Sequence, residues 1–202
     1  MRAALGLKTH SGWAALVVLG RERETYRVVE RRRIELITER DPDWPGQPYH
    51  AAQNKPIALA RRIVERGIAD ADACARAELR DVLARVREAG IDVVVCAVLT
   101  PAPLPDWTLE QILAVHLRLH QAEGALYPAA LLRAAEACGL PAQAIAQKTL
   151  TQVVAQQASA KSSAAVVRQI AELGKSIGAP WGADQKQAAL AAWLALEGRR
   201  VG

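Results

Sequence analysis

Apolar positions open the chain in short blocks separated by polar turns. Ala3–Lys8 is a brief apolar run, Thr9–Gly12 a turn, and Trp13–Gly20 a second run whose length suits a strand. Arg21–Thr25 is a charged turn. Tyr26–Ile37 reads as a third strand through Val28, Val29, Ile34, Leu36 and Ile37. Connections this short join antiparallel neighbours, so the first third of the chain predicts a meander. Arg31, Arg32 and Arg33 fall inside the third strand. They fit a solvated edge strand, whose charges block sheet-to-sheet association, better than a DNA-binding stripe.

Glu39–Gln53 holds three prolines and a glycine and predicts a long loop. Asn54 is a candidate N-cap with Pro56 in the first turn. Helical spacing then runs to Ala89, with Gly67 as a possible division into two helices. Ile91–Leu99 is almost continuously apolar and β-branched, the pattern of a central strand buried on both faces. Helix follows over about 108–137, with Gly139 as a stop. Leu140–Ala146 is a weak fifth strand. Thr149–Ser159, Lys161–Leu173 and Asp184–Leu196 read as helices. Three strands followed by alternating helices and strands imply a mixed sheet with helices on both faces.

A chain of 202 residues that is 51% hydrophobic can bury a core, and residues 1–202 are expected to form a single domain. Because Phe is absent, Leu, Val, Ile and Ala must fill that core. Net charge is +5, and the excess is local: from Gln147 onward there are seven Lys and Arg against three acids. That imbalance admits phosphate contact. Cys74, Cys96 and Cys138 are widely spaced within apolar runs, as expected of buried free thiols in a reducing compartment. No secretory leader and no membrane span is expected, so the reading is cytoplasmic.

Three segments give a resemblance. Leu5-Gly6-Leu7-Lys8 with Gly12-Trp13, then Leu119-His120-Gln121-Ala122-Glu123-Gly124, then Asp184 followed by Gln187 and the small residues Ala188, Ala191 and Ala192, resemble in that order the RuvC branch of the ribonuclease-H-like proteins. The resemblance implies an α/β fold, a five-stranded mixed sheet in the order 3-2-1-4-5 with strand 2 antiparallel. It also implies a place for a site, at the ends of strands one and four and the start of the last helix. The family cuts branched DNA with four acids: one on strand one, one just after strand four and two on the last helix. Here strand one offers Lys8, Thr100 and Pro101 follow strand four, and the last helix offers Asp184 alone, with Gln187 at the second position. Two metal ions about 4 Å apart need several converging carboxylates, and a lysine ammonium repels them. The expectation is therefore a degenerate nuclease site.

Other residues can rebuild a pocket. His116, His120, Glu123 and Tyr127 are spaced four, three and four apart, on one stripe of a helix. With Lys8 and Asp184 brought close by the family fold, His120 and Glu123 complete a candidate catalytic set. His116, His120, Glu123 and Asp184 are candidate ligands for one divalent metal. No other cofactor is implied. The competing reading leaves His116 and Glu123 solvated, with His120 bonded inside the core. Lys161, Arg168, Lys175 and Lys186 are the candidate nucleic-acid contacts. The first expectation is thus a protein that binds branched or structured DNA without two-metal cleavage. The second is a hydrolase with a re-purposed Lys8, His120, Glu123 and Asp184 pocket. The third is an interaction protein, with charge-poor helical faces pairing two subunits as a homodimer.

Overall fold

Side chains alternate across a strand, and the alternation here divides the core into two layers. A computed structural model describes residues 1–23, 25–38, 46–158 and 160–198, with only the backbone described at 160–162. Strands β1 (Arg2–His10), β2 (Trp13–Glu22) and β3 (Thr25–Glu35) form the antiparallel meander. β4 (Asp92–Thr100) lies parallel to β1, and β5 (Ala142–Ala146) parallel to β4, giving the order β3-β2-β1-β4-β5. This is the ribonuclease-H-like sheet, with β2 antiparallel to its neighbours.

Leu5, Leu7, Leu16, Val18, Cys96 and Val98 point to one face, which is covered by α2 (Ile57–Glu88) and α4 (His116–Ala137). Ala4, Val17, Leu19, Val95, Ala97 and Leu99 point to the other, covered by α5 (Leu150–Gln157), α6 (Ala160–Ile177) and α7 (Ala183–Gly198). The parity has a consequence at the open end of β1. Gly6, Lys8 and His10 lie on the same face as Ala4, toward α7. A Cβ on Gly6 would sit 1.8 Å from the Ala188 carbonyl oxygen, so only glycine permits this approach of α7 to the sheet.

Several boundaries differ from the sequence reading. The loop contains a short helix, α1 (Pro48–Ala52), with proline in its first turn. Glu39–Pro45 lie outside the described residues. Asn54 does not cap α2: it adopts φ 61, and Pro56 holds the cap position. Gly67 does not divide α2. It is buried in step with Ala60, Val64, Ala71 and Ala75, on the stripe that faces inward. The stretch after β4 is two helices. α3 (Leu109–Leu113) starts at a capping box between Thr108 and Gln111, and Val115, in an extended conformation, separates it from α4. No helix among the described residues is long and apolar enough to cross a membrane.

β3 is an edge strand, and its consecutive arginines Arg31, Arg32 and Arg33 are engaged within the fold. Arg31 donates to the carbonyls of Ile177 (3.0 Å), Gly178 (2.9 Å), Ala179 (2.8 Å) and Pro180, at the C-terminal end of α6. Arg32, on the opposite face, pairs with Glu78 (2.5 Å) and Asp81 (3.0 Å) of α2. Arg33 pairs with Glu35 and lies over the Trp13 ring at 4.3 Å. Each therefore ties the edge strand to a neighbouring element.

Candidate functional site

The parity of β1 delivers Lys8 and His10 to the first turn of α7. His10 Nε2 lies 3.1 Å from Asp184 Oδ1, and the His10 ring stacks on Trp13 with centroids 4.2 Å apart. Asp184 itself sits where a carboxylate favours the positive end of the helix dipole. Lys8 Nζ donates 2.8 Å to Gln147 Oε1, in the single 3-10 turn Gln147–Thr149 after β5. Burial pushes the Lys8 amine below its ordinary pKa, and the Asp184 charge works against that shift. Trp181 lies two residues before α7. Its indole N–H donates 2.9 Å to the Ile170 carbonyl, so it packs α6 against the start of α7.

A second group forms on α4. His116 begins the helix, and His120, Glu123 and Tyr127 follow along one stripe. Their partner is the segment around α1. Glu123 Oε2 accepts from His50 Nδ1 at 2.8 Å and from the His50 backbone N–H at 3.2 Å. The Tyr127 hydroxyl donates 2.5 Å to the Gly46 carbonyl. Glu123 is 4% exposed, which overturns its reading as a solvated side chain. Burial pushes its carboxyl pKa up, opposed by the bonds from His50. Its other oxygen, Oε1, has no hydrogen-bond partner among the described residues. His116 and His120 are exposed, so His120 is not a core histidine either. Their Nε2 atoms are 3.0 Å apart, and ring nitrogens of His50, His116 and His120 all lie within 4.8 Å of one another.

Between the two groups lies a cavity of about 490 Å³. His120 and Gly124 of α4 line it, together with Pro101 after β4, Gln147, Lys148, and Gln187 of α7. Gln147 is the partner of Lys8, and Gln187 stands one turn beyond Asp184. Gln187 Oε1 is buried without a partner among the described residues. The four candidate catalytic residues thus fall into two pairs. Lys8 and Asp184 share one electrostatic neighbourhood. His120 and Glu123 belong to the other, where Glu123 is bonded to His50 and not to Lys8.

Among the candidate phosphate contacts, Arg168 and Lys175 are exposed and seven residues apart on α6, hence on one stripe. The Lys161 backbone continues that spacing, but its side chain lies outside the described residues. Lys175 is 3.8 Å from Glu172, and Lys186 is half-buried on α7.

No protein-family model matches the chain, and no curated protein matches it in sequence. Solved structures do match. The Thermus thermophilus RuvC in complex with Holliday junction substrate aligns over 100% of this chain and 97% of that one, with a TM-score of 0.55 and 16% identity. A second structure of Thermus thermophilus RuvC aligns over 99% and 96%, with a TM-score of 0.53 and 16% identity. This chain has the RuvC fold. The RuvC likeness spans both chains nearly end to end, so it includes the edge strand, α1 and α7. At this identity it carries the architecture and not the activity.

The sequence reading places Lys8, His120, Glu123 and Asp184 in one candidate set; Lys8 lies in the field of Asp184 as that reading expects, whereas Glu123 is bonded to His50. His50 is not among the candidate residues: it lies in the proline-rich stretch that reads as a loop, 73 residues before the glutamate it contacts. Gln147 carried no signal, because an isolated glutamine beside a weak strand fits any surface turn.

Proposed function

We propose that this protein binds branched or structured DNA through its RuvC-type fold and does not cleave it by a two-metal mechanism. The observation that carries the reading is Lys8. An ammonium group stands at the tip of β1, hydrogen-bonded to Gln147 and in the field of Asp184, where a two-metal nuclease needs a carboxylate. Gln187, one turn after Asp184, offers an amide in place of a second acid. Lys8 and Lys148 favour a phosphate over a pair of magnesium ions at this end of the sheet. The α6 stripe of Arg168 and Lys175, extended by Lys161 and joined by Lys186 of α7, supplies the sequence-independent part of binding.

The test is fluorescence anisotropy with a four-way junction, a matched duplex and a structured RNA over a range of salt. Junction binding is expected to weaken steeply with salt. Changing Lys161, Arg168, Lys175 and Lys186 to Gln should flatten the log–log slope by about 0.9 for each phosphate contact removed. Absence of binding to all three nucleic acids at low salt would end the proposal.

A hydrolase is the second reading, and one observation favours it. Glu123 is a buried carboxylate with a raised pKa and an uncommitted oxygen, and His120, three residues before it, lines the cavity. Phosphoesterase assays of wild type against Glu123→Gln separate the two readings, because loss of DNA binding is not expected from that change.

The reading also includes a homodimer in the cytoplasm. Exposed apolar side chains at Val115, Leu117 and Val167 support self-association, and three free cysteines fit a reducing compartment. Sedimentation at several concentrations tests the dimer, and a monomer throughout removes it.

A further inference from the structure

We infer that His50, His116 and His120 form a mononuclear metal site of the zinc type, with Glu123 orienting His50 rather than ligating. This goes beyond the DNA-binding reading and does not depend on it.

The spacing of His116 and His120 places both rings on one side of α4, one turn apart. Their Nε2 atoms are 3.0 Å apart. Two ligand atoms on a tetrahedral zinc, with bonds of about 2.0–2.1 Å, are separated by about 3.3 Å. The pair therefore needs only a small rotation to share an ion. His50 arrives from α1 and brings a ring nitrogen within 4.8 Å of both.

His50 is held as a metal-binding histidine usually is. Glu123 Oε2 accepts from His50 Nδ1 at 2.8 Å and also from the His50 backbone N–H. This fixes the ring and places the proton on Nδ1, so the Nε2 lone pair remains for a cation.

The charge balance around Glu123 is a second, independent observation. The carboxylate is 4% exposed, and among the described residues no Lys or Arg is ion-paired with it. A buried carboxylate whose ion-pair partner is an imidazole gains from added positive charge on that ring. A divalent ion on the three imidazoles would supply that charge through His50. An all-nitrogen ligand set selects zinc, cobalt or nickel over magnesium, which prefers oxygen.

Three protein ligands leave a fourth position open. His116 and His120 are exposed, and His120 also lines the 490 Å³ cavity, so water or a substrate group can reach the ion. The site is separate from the neighbourhood of Lys8 and Asp184.

Without metal, the short contact between His116 and His120 is an N–H···N hydrogen bond, and the experiment distinguishes the two cases. Tag-free protein treated with a chelator is titrated with Co²⁺, followed by its visible absorption, and then with competing Zn²⁺. The expected result is saturable binding of one ion per chain, with zinc displacing cobalt. His116→Ala and His120→Ala, both at exposed positions that leave the core intact, should abolish it. Glu123→Gln should weaken it by about 10–100-fold. Lys8→Met and Asp184→Asn should leave it unchanged. No saturable binding in the wild type overturns the inference, as does full binding by the His116→Ala/His120→Ala double variant. Either result leaves DNA binding, measured on the same protein, to be judged separately.

Discussion

Lys8 and Gln147, 139 residues apart in sequence, are joined by a 2.8 Å hydrogen bond from the Lys8 ammonium to the Gln147 side-chain oxygen. The bond closes the end of the sheet where β1 meets the turn after β5. It also sets a positive charge in the field of Asp184, at the end of the sheet where Gln187 stands one turn further along α7.

Restoring acids should restore metal affinity. Lys8 and Gln187 both approach from the α7 side of the sheet, so Lys8→Asp combined with Gln187→Asp would add two carboxylates to Asp184. The double variant is expected to bind Mn²⁺ at least about tenfold more tightly than the wild type by calorimetry. To keep the two sites apart, the comparison is made in a His116→Ala/His120→Ala background. Equal, weak binding by both proteins would show that the three positions do not converge.

Lys8 makes stability depend on pH in a defined direction. Burial lowers its amine pKa in the folded state, so the native protein holds this proton less tightly than the unfolded chain does. The charged amine therefore disfavours folding at neutral pH, and the penalty fades as pH rises from the depressed value to the ordinary one near about 10.4. Lys8→Met should be more stable than wild type at pH 7, by less than about 1 kcal/mol because the side chain is half-exposed. The gap between their urea midpoints should narrow toward pH 10.

Gly6 and Gly124 should respond oppositely to alanine. At Gly6 the added carbon meets the Ala188 carbonyl at 1.8 Å and pushes α7 off the sheet. A loss of about 3 kcal/mol is expected, at the severe end of overpacking. At Gly124, within α4, an added carbon meets nothing within 4 Å, and alanine should stabilise by about 0.5–1 kcal/mol. Denaturant melts of the two variants check both signs.

Arg31 is a clamp on the end of α6. Arg31→Ala should cost about 1–2 kcal/mol through lost bonds to the carbonyls of Ile177, Gly178 and Ala179. Junction affinity of the folded variant should be unchanged. A large affinity loss with no loss of stability would return the β3 arginines to the DNA-binding surface.

The sheet was legible because its signals are local. The short apolar runs of β1 and β2, bounded by polar turns, and the β-branched run of β4 mark the strands, and the parity of β1 puts Lys8 on the face opposite Leu7. The continuity of α2 stays open at Gly67 in sequence, and it is settled by packing: Ala60, Val64, Gly67, Ala71 and Ala75 keep one buried helical stripe through the glycine. The division before α4 was not legible, since Val115 interrupts no pattern and only its extended backbone separates α3 from α4. The site was half legible. His116, His120 and Glu123 share one helix and announce themselves by spacing. Their partner His50 sits in a proline-rich stretch, where no periodicity links residues so far apart. Side-chain pairing is likewise invisible in sequence: Arg31 and Arg32 are neighbours, yet strand alternation sends them to opposite faces and to different helices.

The most direct test is a single gel experiment on a four-way DNA junction, with the purified wild-type protein, in the presence and absence of Mg²⁺ or Mn²⁺. The expected result is a retarded protein–junction complex, favoured over duplex of equal length, with the DNA strands intact under denaturing conditions at every metal concentration. Metal-dependent strand cleavage that disappears in Asp184→Asn would contradict the account at its centre, because Lys8 would then be part of a working nuclease site.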